Sequence, residues 1–319
     1  MLAIFLKTLP FFAIIALGYA AGRMRFFSAE ATGYLTKFVF YFALSAMLFG
    51  FAANLDLTEV FSWGFIWAYF LASALIWALV GAAALLRGAG REEAVFEAHT
   101  GVIGNVGFLG IPMLALLLGP QAVGPVLMVL AVDLVVFSTV LTLVITGLRG
   151  GTVGLAMLGG LAMLGGLVMG LLRNPMIVSV VLGLAWGATG WALPVPVNEF
   201  MTTLGAAATP CALFAIGASL AGRNPERLGV AVSLSFAKLV LHPAAVAVAA
   251  LWLFDVEPYA AGVMIAAAAL PVAGNVFILA QHYGVAPQRV STSILISTAV
   301  SVLTVTAVIA LVGPLVGKL

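Results

Sequence analysis

The sequence predicts an all-α polytopic membrane protein of ten transmembrane helices, built as two inverted five-helix repeats, with helices 4 and 9 broken and crossing at mid-membrane. Three observations predict it. Of the 319 residues, 64% are hydrophobic and only 8% charged, where a soluble domain carries roughly 25% charged residues to wet its surface. The apolar residues fall into ten runs of the length that crosses hydrocarbon, about 20 residues each. The fourth and ninth runs are each interrupted by an asparagine beside glycine, with a proline within one or two turns.

Taken in order, the runs lie at 2–22, 33–53, 62–86, 95–118 and 122–148, then at 174–192, 199–221, 228–254, 259–282 and 290–316. The first could be mistaken for a leader peptide. Arg23 and Arg25 follow its apolar core instead of preceding it, so it reads as a first membrane helix with its N-terminus outside. Thr152–Leu172, with its near-duplicate LAMLGG, is apolar enough to be an eleventh span. Arginine decides against it. If that segment does not cross, Arg23, Arg25, Arg87, Arg91, Arg149, Arg173, Arg223, Arg227 and Arg289 share one face, and only Lys7 and Lys318 lie near the other. If it crosses, Arg173, Arg223, Arg227 and Arg289 change sides and the asymmetry mostly disappears.

The positive-inside rule therefore makes Thr152–Leu172 an interfacial or re-entrant helix on the cytoplasmic side of the cell (inner, plasma) membrane, with both termini outside. Trp63, Trp67, Trp191, Trp252 and Tyr259 fall at predicted outer helix ends, and Asp56, Glu59, Glu199, Asp255 and Glu257 in outer loops.

The organisation that follows is a first repeat over 1–148, a cytoplasmic linker or interfacial helix over 149–173, and a second repeat over 174–319. LPFFAIIALGYAAG (Leu9–Gly22) aligns with NPMIVSVVLGLAWG (Asn174–Gly187), and YFALSAMLFG (Tyr41–Gly50) with TPCALFAIGASL (Thr209–Leu220). Five spans is an odd number, so the second repeat starts on the opposite side of the membrane. Inverted halves are a property of secondary transporters, with the substrate held at the repeat interface.

The two interruptions are GNVGFLGIP (Gly104–Pro112) and LPVAGN (Leu270–Asn275). Each unsatisfied backbone group in hydrocarbon costs several kcal/mol, so a break survives only where protein buries it or a cavity solvates it. Gly104, Gly107 and Gly110 weaken the fourth helix and Pro112 removes a donor; Pro271 and Gly274 do the same in the ninth. Half-helix N-termini at such breaks attract anions, and Asn105 and Asn275 add amide donors without a fixed charge. The expected substrate-binding set is Asn105, Val106, Gly107, Gly274, Asn275 and Val276, with Gly104, Gly110, Pro112 and Pro271 shaping the crossover.

Asp133 and Lys238 are the ionisable groups nearest mid-span, where a charge costs at least about 2.5–3.5 kcal/mol and is usually paired or functional. Two readings stand side by side: a structural ion pair, or a coupling device in which Lys238 balances Asp133 or the substrate and Asp133 takes a proton. His242, one turn beyond Lys238, reads as a packed or water-facing side chain or as a relay; His99 and His282 read as interfacial. Thr139, Thr142, Ser297, Ser301 and Thr304 suit hydrogen bonding between helices, with a sodium site as the alternative. Cys211, the lone cysteine, excludes a disulfide framework and reads as packing.

With these residues in view, the chain resembles the auxin efflux carrier family, in the superfamily that also holds bile acid/sodium symporters. The likeness spans nearly the full length. It rests on GNVGFLGIPMLALLLG, RNPMIVSVVLG, TPCALFAIGASLAG, KLVLHP, LPVAGNVFILAQHYGV and STAVSVLT. The resemblance implies scaffold helices 1, 2, 6 and 7, transport helices 3–5 and 8–10, an elevator-type movement, a homodimer and a substrate site at Asn105 and Asn275. Bacterial members resemble carriers of malonate or similar carboxylates. Ser45 stands where relatives commonly carry proline, and no long hydrophilic central loop is present; both depart from the plant members that export auxin.

The function expected is therefore secondary transport of a small mono- or dicarboxylate by alternating access, without a cofactor and coupled to H+ or Na+, in a lipid bilayer. Sodium-coupled symport of bulkier anions is the alternative. A net charge of +2 gives no case for nucleic acid. Neither HExxH, GxSxG nor a His/Asp ligand cluster occurs, so an intramembrane enzyme lacks its chemistry. Rings of like charge, as in a channel, are also missing.

Overall fold

The computed structural model describes residues 2–54, 62–149, 175–221 and 227–317. The expectations for Thr152–Leu172, and for Asp56, Glu59, Arg173, Asn174, Arg223 and Lys318, fall outside the described residues. The described chain is helical, without a β-strand, in the order α1 (Leu2–Arg23), α2 (Ala29–Ala53), α3 (Trp63–Leu86), α4 (Arg91–Thr100), α5 (Val106–Leu118) and α6 (Pro120–Leu148). Then follow α7 (Pro175–Gly187), α8 (Val195–Leu220), α9 (Leu228–Leu253), α10 (Pro258–Ala268), α11 (Gly274–Tyr283) and α12 (Pro287–Val312).

Seven of these are long and apolar enough to cross a bilayer among the described residues: those ending at Arg23, Ala53, Leu86, Leu148, Leu220, Leu253 and Val312. The molecule is a polytopic membrane protein. Shorter apolar helices include Val106–Leu118 and Pro258–Ala268, which are halves of the two runs the sequence predicts to be interrupted. Three helix starts carry side-chain caps among the described residues. The hydroxyls of Ser28 and Ser62 accept the Ala31 and Phe65 amides, at 3.1 and 3.3 Å. Glu257 accepts from Tyr259 and Ala260 at 2.9 and 2.8 Å.

The chain divides into two compact units. One comprises Met1–Pro10, Ser62–Thr152 and Arg223–Leu319; the other comprises Phe11–Phe61 and Val153–Gly222. Small residues let backbones touch in the second unit, as expected where lipid gives no hydrophobic drive to helix pairing. A Cβ on Gly18 would lie 2.1 Å from the Phe214 carbonyl oxygen, and one on Gly183 would lie 2.7 Å from that of Phe49. Gly18 and Gly183 are 165 positions apart, and so are Phe49 and Phe214. The same contact is made twice with the partners exchanged between the two halves of the sequence.

In the first unit, α4 is anomalous. Its sequence REEAVFEAHT is polar, yet Ala94–Thr100 are all buried. Three arginines, two just past the ends of α3 and α6 and one on α12, neutralise its acids. Glu97 binds Arg87 and, at 2.5 Å, Arg289; Glu93 reaches Arg289 at 3.3 Å; Glu92 takes Arg149 at 2.8 Å. The Arg149 hydrogen bond holds the exposed Glu92 carboxyl below its ordinary range, so whatever small stability this pair adds is present above the unfolded pKa and fades as pH falls. Arg289 and Glu97 are buried, and Arg289→Ala is expected to cost about 3 kcal/mol, the low end for a broken buried pair because Arg87 still faces Glu97. A detergent melting curve would read it, and an unchanged midpoint would contradict it.

Candidate functional site

Both interruptions are present. α4 stops at Thr100 and α5 begins at Val106; α10 stops at Ala268 and α11 begins at Gly274. The two intervening stretches pair with one another. Gly104 and Val272 form an antiparallel bridge, Asn105 N–H donates to the Pro271 carbonyl at 2.8 Å, and Ala273 N–H donates to that of Ile103 at 3.1 Å. Ser297 on α12 accepts the Val272 amide at 3.1 Å. Each break therefore supplies what the other lacks, which is how non-helical backbone survives away from water.

The glycines have specific tasks here. A Cβ on Gly110 would stand 2.6 Å from Leu270 Cδ1, and one on Gly104 would stand 3.2 Å from both Cε and Nζ of Lys238. Asn105 (φ −75°, ψ 55°) centres a tight turn in which Val106 N–H reaches the Gly104 carbonyl at 2.7 Å. Its own carbonyl accepts from Leu109 and Gly110 at 3.1 and 3.0 Å. With its backbone hydrogen bonds used within the turn and across the break, buried Asn105 keeps its side-chain amide as its remaining polar group.

Across the break, Gly274 is exposed and Asn275 half-buried, and the first N–H groups of α11 have no carbonyl within their helix to meet. Asn275 Oδ1 is buried without a partner among the described residues. Val106, Gly107, Val276 and Pro271 are buried, and Pro112 is partly so. Pro112 sits in the first turn of regular helix after a π-helical turn over Val106–Gly110, where its missing N–H does least harm.

Behind the breaks lies a buried polar cluster within the same unit. Asp133 and Lys238 each sit in a π-helical turn, Val132–Phe137 of α6 and Ala237–Leu241 of α9; such turns recur at functional sites. Lys238 Nζ donates to the Ala268 carbonyl, the C-terminus of α10, so its charge meets the negative end of that half-helix. It also lies 3.2 Å from His242 Nδ1. Asp133 Oδ1 accepts from the Tyr69 hydroxyl at 2.8 Å, and its carboxylate lies in the field of the Lys238 charge. His242 Nε2 lies 2.9 Å from Ser73 Oγ. Asp133 Oδ2 is buried without a partner among the described residues. Gly104 thus packs beside Lys238, whose ammonium holds the end of α10.

Three expectations change. His99, read as interfacial, is fully buried with both ring nitrogens unpartnered among the described residues, because α4 is enclosed by neighbouring helices. Thr142 and Ser301 bond carbonyls of their own helices, the usual competition of hydroxyls with the local backbone. Ser297 reaches another segment. Tyr69 and Ser73 carried no expectation at all. Their spacing of one turn on a predicted span is the signal available beforehand, since i and i+4 share a helix face.

A family model described as "Membrane transport protein" matches residues 3–154 and 160–309. A protein of Rhizobium meliloti (strain 1021) called "Putative malonate transporter" is 32% identical over 310 residues, spanning 95% of this chain and 94% of its own.

Proposed function

The chain belongs to the membrane transport protein family, that of the auxin efflux carriers, and from that premise we propose that it is a secondary active transporter of a small carboxylate, malonate or a close analogue, working by alternating access. The observation that carries the reading is the pair of mutually bonded breaks with two asparagine amides and an uncapped helix N-terminus beside them. A carboxylate gains there from the partial positive charge of α11 and from amide donors. The name of the Rhizobium protein supports malonate as the first ligand to try.

In this reading Asn105, Val106, Gly107, Gly274, Asn275 and Val276 form the substrate site, and α4–α5 crosses α10–α11 near the middle of the membrane. Asp133 and Lys238 couple the cycle: with Lys238 charged, a proton on Asp133 compensates the incoming carboxylate. The unit that holds both breaks is the transport domain, moving as an elevator. The unit of Phe11–Phe61 and Val153–Gly222 is the scaffold, through which two copies pair. The division of the chain into these two units supports that assignment. The arginines that fasten α4 mark the cytoplasmic end in the inner membrane, with both termini outside.

A thermal-shift screen of the purified protein against dicarboxylates, indole acids, amines and sugars tests the reading. A carboxylate is expected to raise the melting temperature of the wild type. Asn105→Ala is expected to keep its own unliganded melting temperature and lose that shift. Stabilisation by neutral amines or sugars and by no carboxylate would overturn the assignment, and a shift that needs sodium would move it to the sodium-coupled branch.

A further inference from the structure

The hydrogen bonds behind the breaks have a direction, and that direction links the two charges. A charged Lys238 has only N–H groups to offer, so His242 Nδ1 at 3.2 Å accepts. The imidazole is then neutral with its proton on Nε2, which donates to Ser73 Oγ at 2.9 Å. The Ser73 hydroxyl then has its own proton to give, and Tyr69 is its neighbour one turn back on the same face of α3. Tyr69 donates to Asp133 Oδ1 at 2.8 Å. Lys238, His242 and Ser73 thus form one hydrogen-bonded run and Tyr69 with Asp133 another, and the two runs come within one helical turn of each other on α3. All five side chains are buried.

We propose that His242, Ser73 and Tyr69 form a proton relay between Lys238 and Asp133. In the transfer, Lys238 Nζ gives a proton to His242 Nδ1, Nε2 gives its proton to Ser73, Ser73 gives its own to Tyr69, and Tyr69 gives its own to Asp133. An N–H bond breaks at Lys238 and an O–H bond forms on Asp133; the three groups between keep their proton count, and the imidazole changes tautomer. Both tautomers are satisfied, because a neutral Lys238 Nζ can accept from Nδ1–H across the same 3.2 Å.

Run in either direction, the relay converts the two charged groups to neutral ones without a side chain leaving its place. It also delivers a proton captured anywhere along it to Asp133. The ionisable groups facing Asp133 are Tyr69 and Lys238; those facing Lys238 are His242 and Asp133. The Gly104 amide and the Ala268 carbonyl complete the surroundings.

The inference rests on the reading of Asp133 and Lys238 as the coupling pair of a carboxylate carrier. Its test uses wild-type and variant proteins in liposomes with labelled malonate, in two assays: uptake driven by an inward proton gradient, and malonate-for-malonate exchange at equal pH. Tyr69→Phe and Ser73→Ala are expected to slow proton-driven uptake by about tenfold or more, on the scale of a lost proton-transfer group. Exchange, which needs no net proton movement, is expected to fall far less, and Ser73→Thr, which keeps the hydroxyl, to restore uptake.

A parallel fall in both assays would make the cluster structural, and undiminished uptake in both variants would dismiss the relay outright. A wild type that exchanges malonate but ignores the proton gradient overturns the relay and leaves the carrier reading standing. A wild type that neither binds nor exchanges any carboxylate removes the carrier reading and the relay with it.

Discussion

Lys238→Met is expected to destabilise the protein by about 3 kcal/mol or more, because Asp133 then remains charged in the interior without its compensating cation. The loss has one further part: the carbonyl at the end of α10 loses its donor. Transport should vanish in the same variant. The informative comparison is the double variant Lys238→Met with Asp133→Leu. Replacing both members of a buried pair by apolar groups is often neutral, so the melting temperature should recover most of the way while transport stays absent. If the double variant is as unstable as Lys238→Met alone, the two charges do not compensate one another, and the coupling reading loses its basis. Asp133→Asn separates the roles further, because it keeps an acceptor for Tyr69 but cannot take up and release a proton.

The second large effect is steric and lies in the other unit. Gly217→Val is expected to leave no folded protein, because the first added carbon would stand 1.9 Å from the Ile15 carbonyl oxygen and 2.8 Å from the Tyr19 nitrogen. Those are backbone atoms inside α1 and cannot give way as a side-chain tip would. Ordinary overpacking costs about 1–3 kcal/mol; here the two helices must separate, and the cost exceeds that range. Gly33→Ala is the control, since nothing lies within 4 Å of a Cβ there. Yield of monodisperse protein after detergent extraction measures both. A well-behaved Gly217→Val protein would show that α1 and α8 do not approach as described.

These two sites differ in how readable they were. Lys238 and Asp133 stand out in any apolar sequence, because a charge within a span is costly and therefore rare. The breaks were legible for a related reason: proline and clustered glycine beside asparagine have a known effect on a helix wherever they fall. The companions of the charges were not. Tyr69 and Ser73 belong to residue types common in membrane helices, and nothing in WAYFLASALIW says which of its polar atoms will meet an aspartate on another helix. Arg289 was read only for the side it lies on and Glu97 not at all, although their burial is what matters. Periodicity assigns a residue to a helix; the partner across the interface depends on rotation and depth, which composition does not encode. The π-helical turns at Asp133 and Lys238 had no local signature either.

The exchanged contacts of Gly18 with Phe214 and Gly183 with Phe49 bear on how the chain is made. Synthesis runs at about 5–20 residues per second, so the segment around Gly18 waits on the order of ten seconds or more in the bilayer before its mate emerges from the ribosome. During that time its smooth, side-chain-free flank faces lipid or a chaperone. The unit of Phe11–Phe61 and Val153–Gly222 therefore cannot close before Phe214 is made, and a ribosome that stalls earlier leaves α1 without its partner on α8.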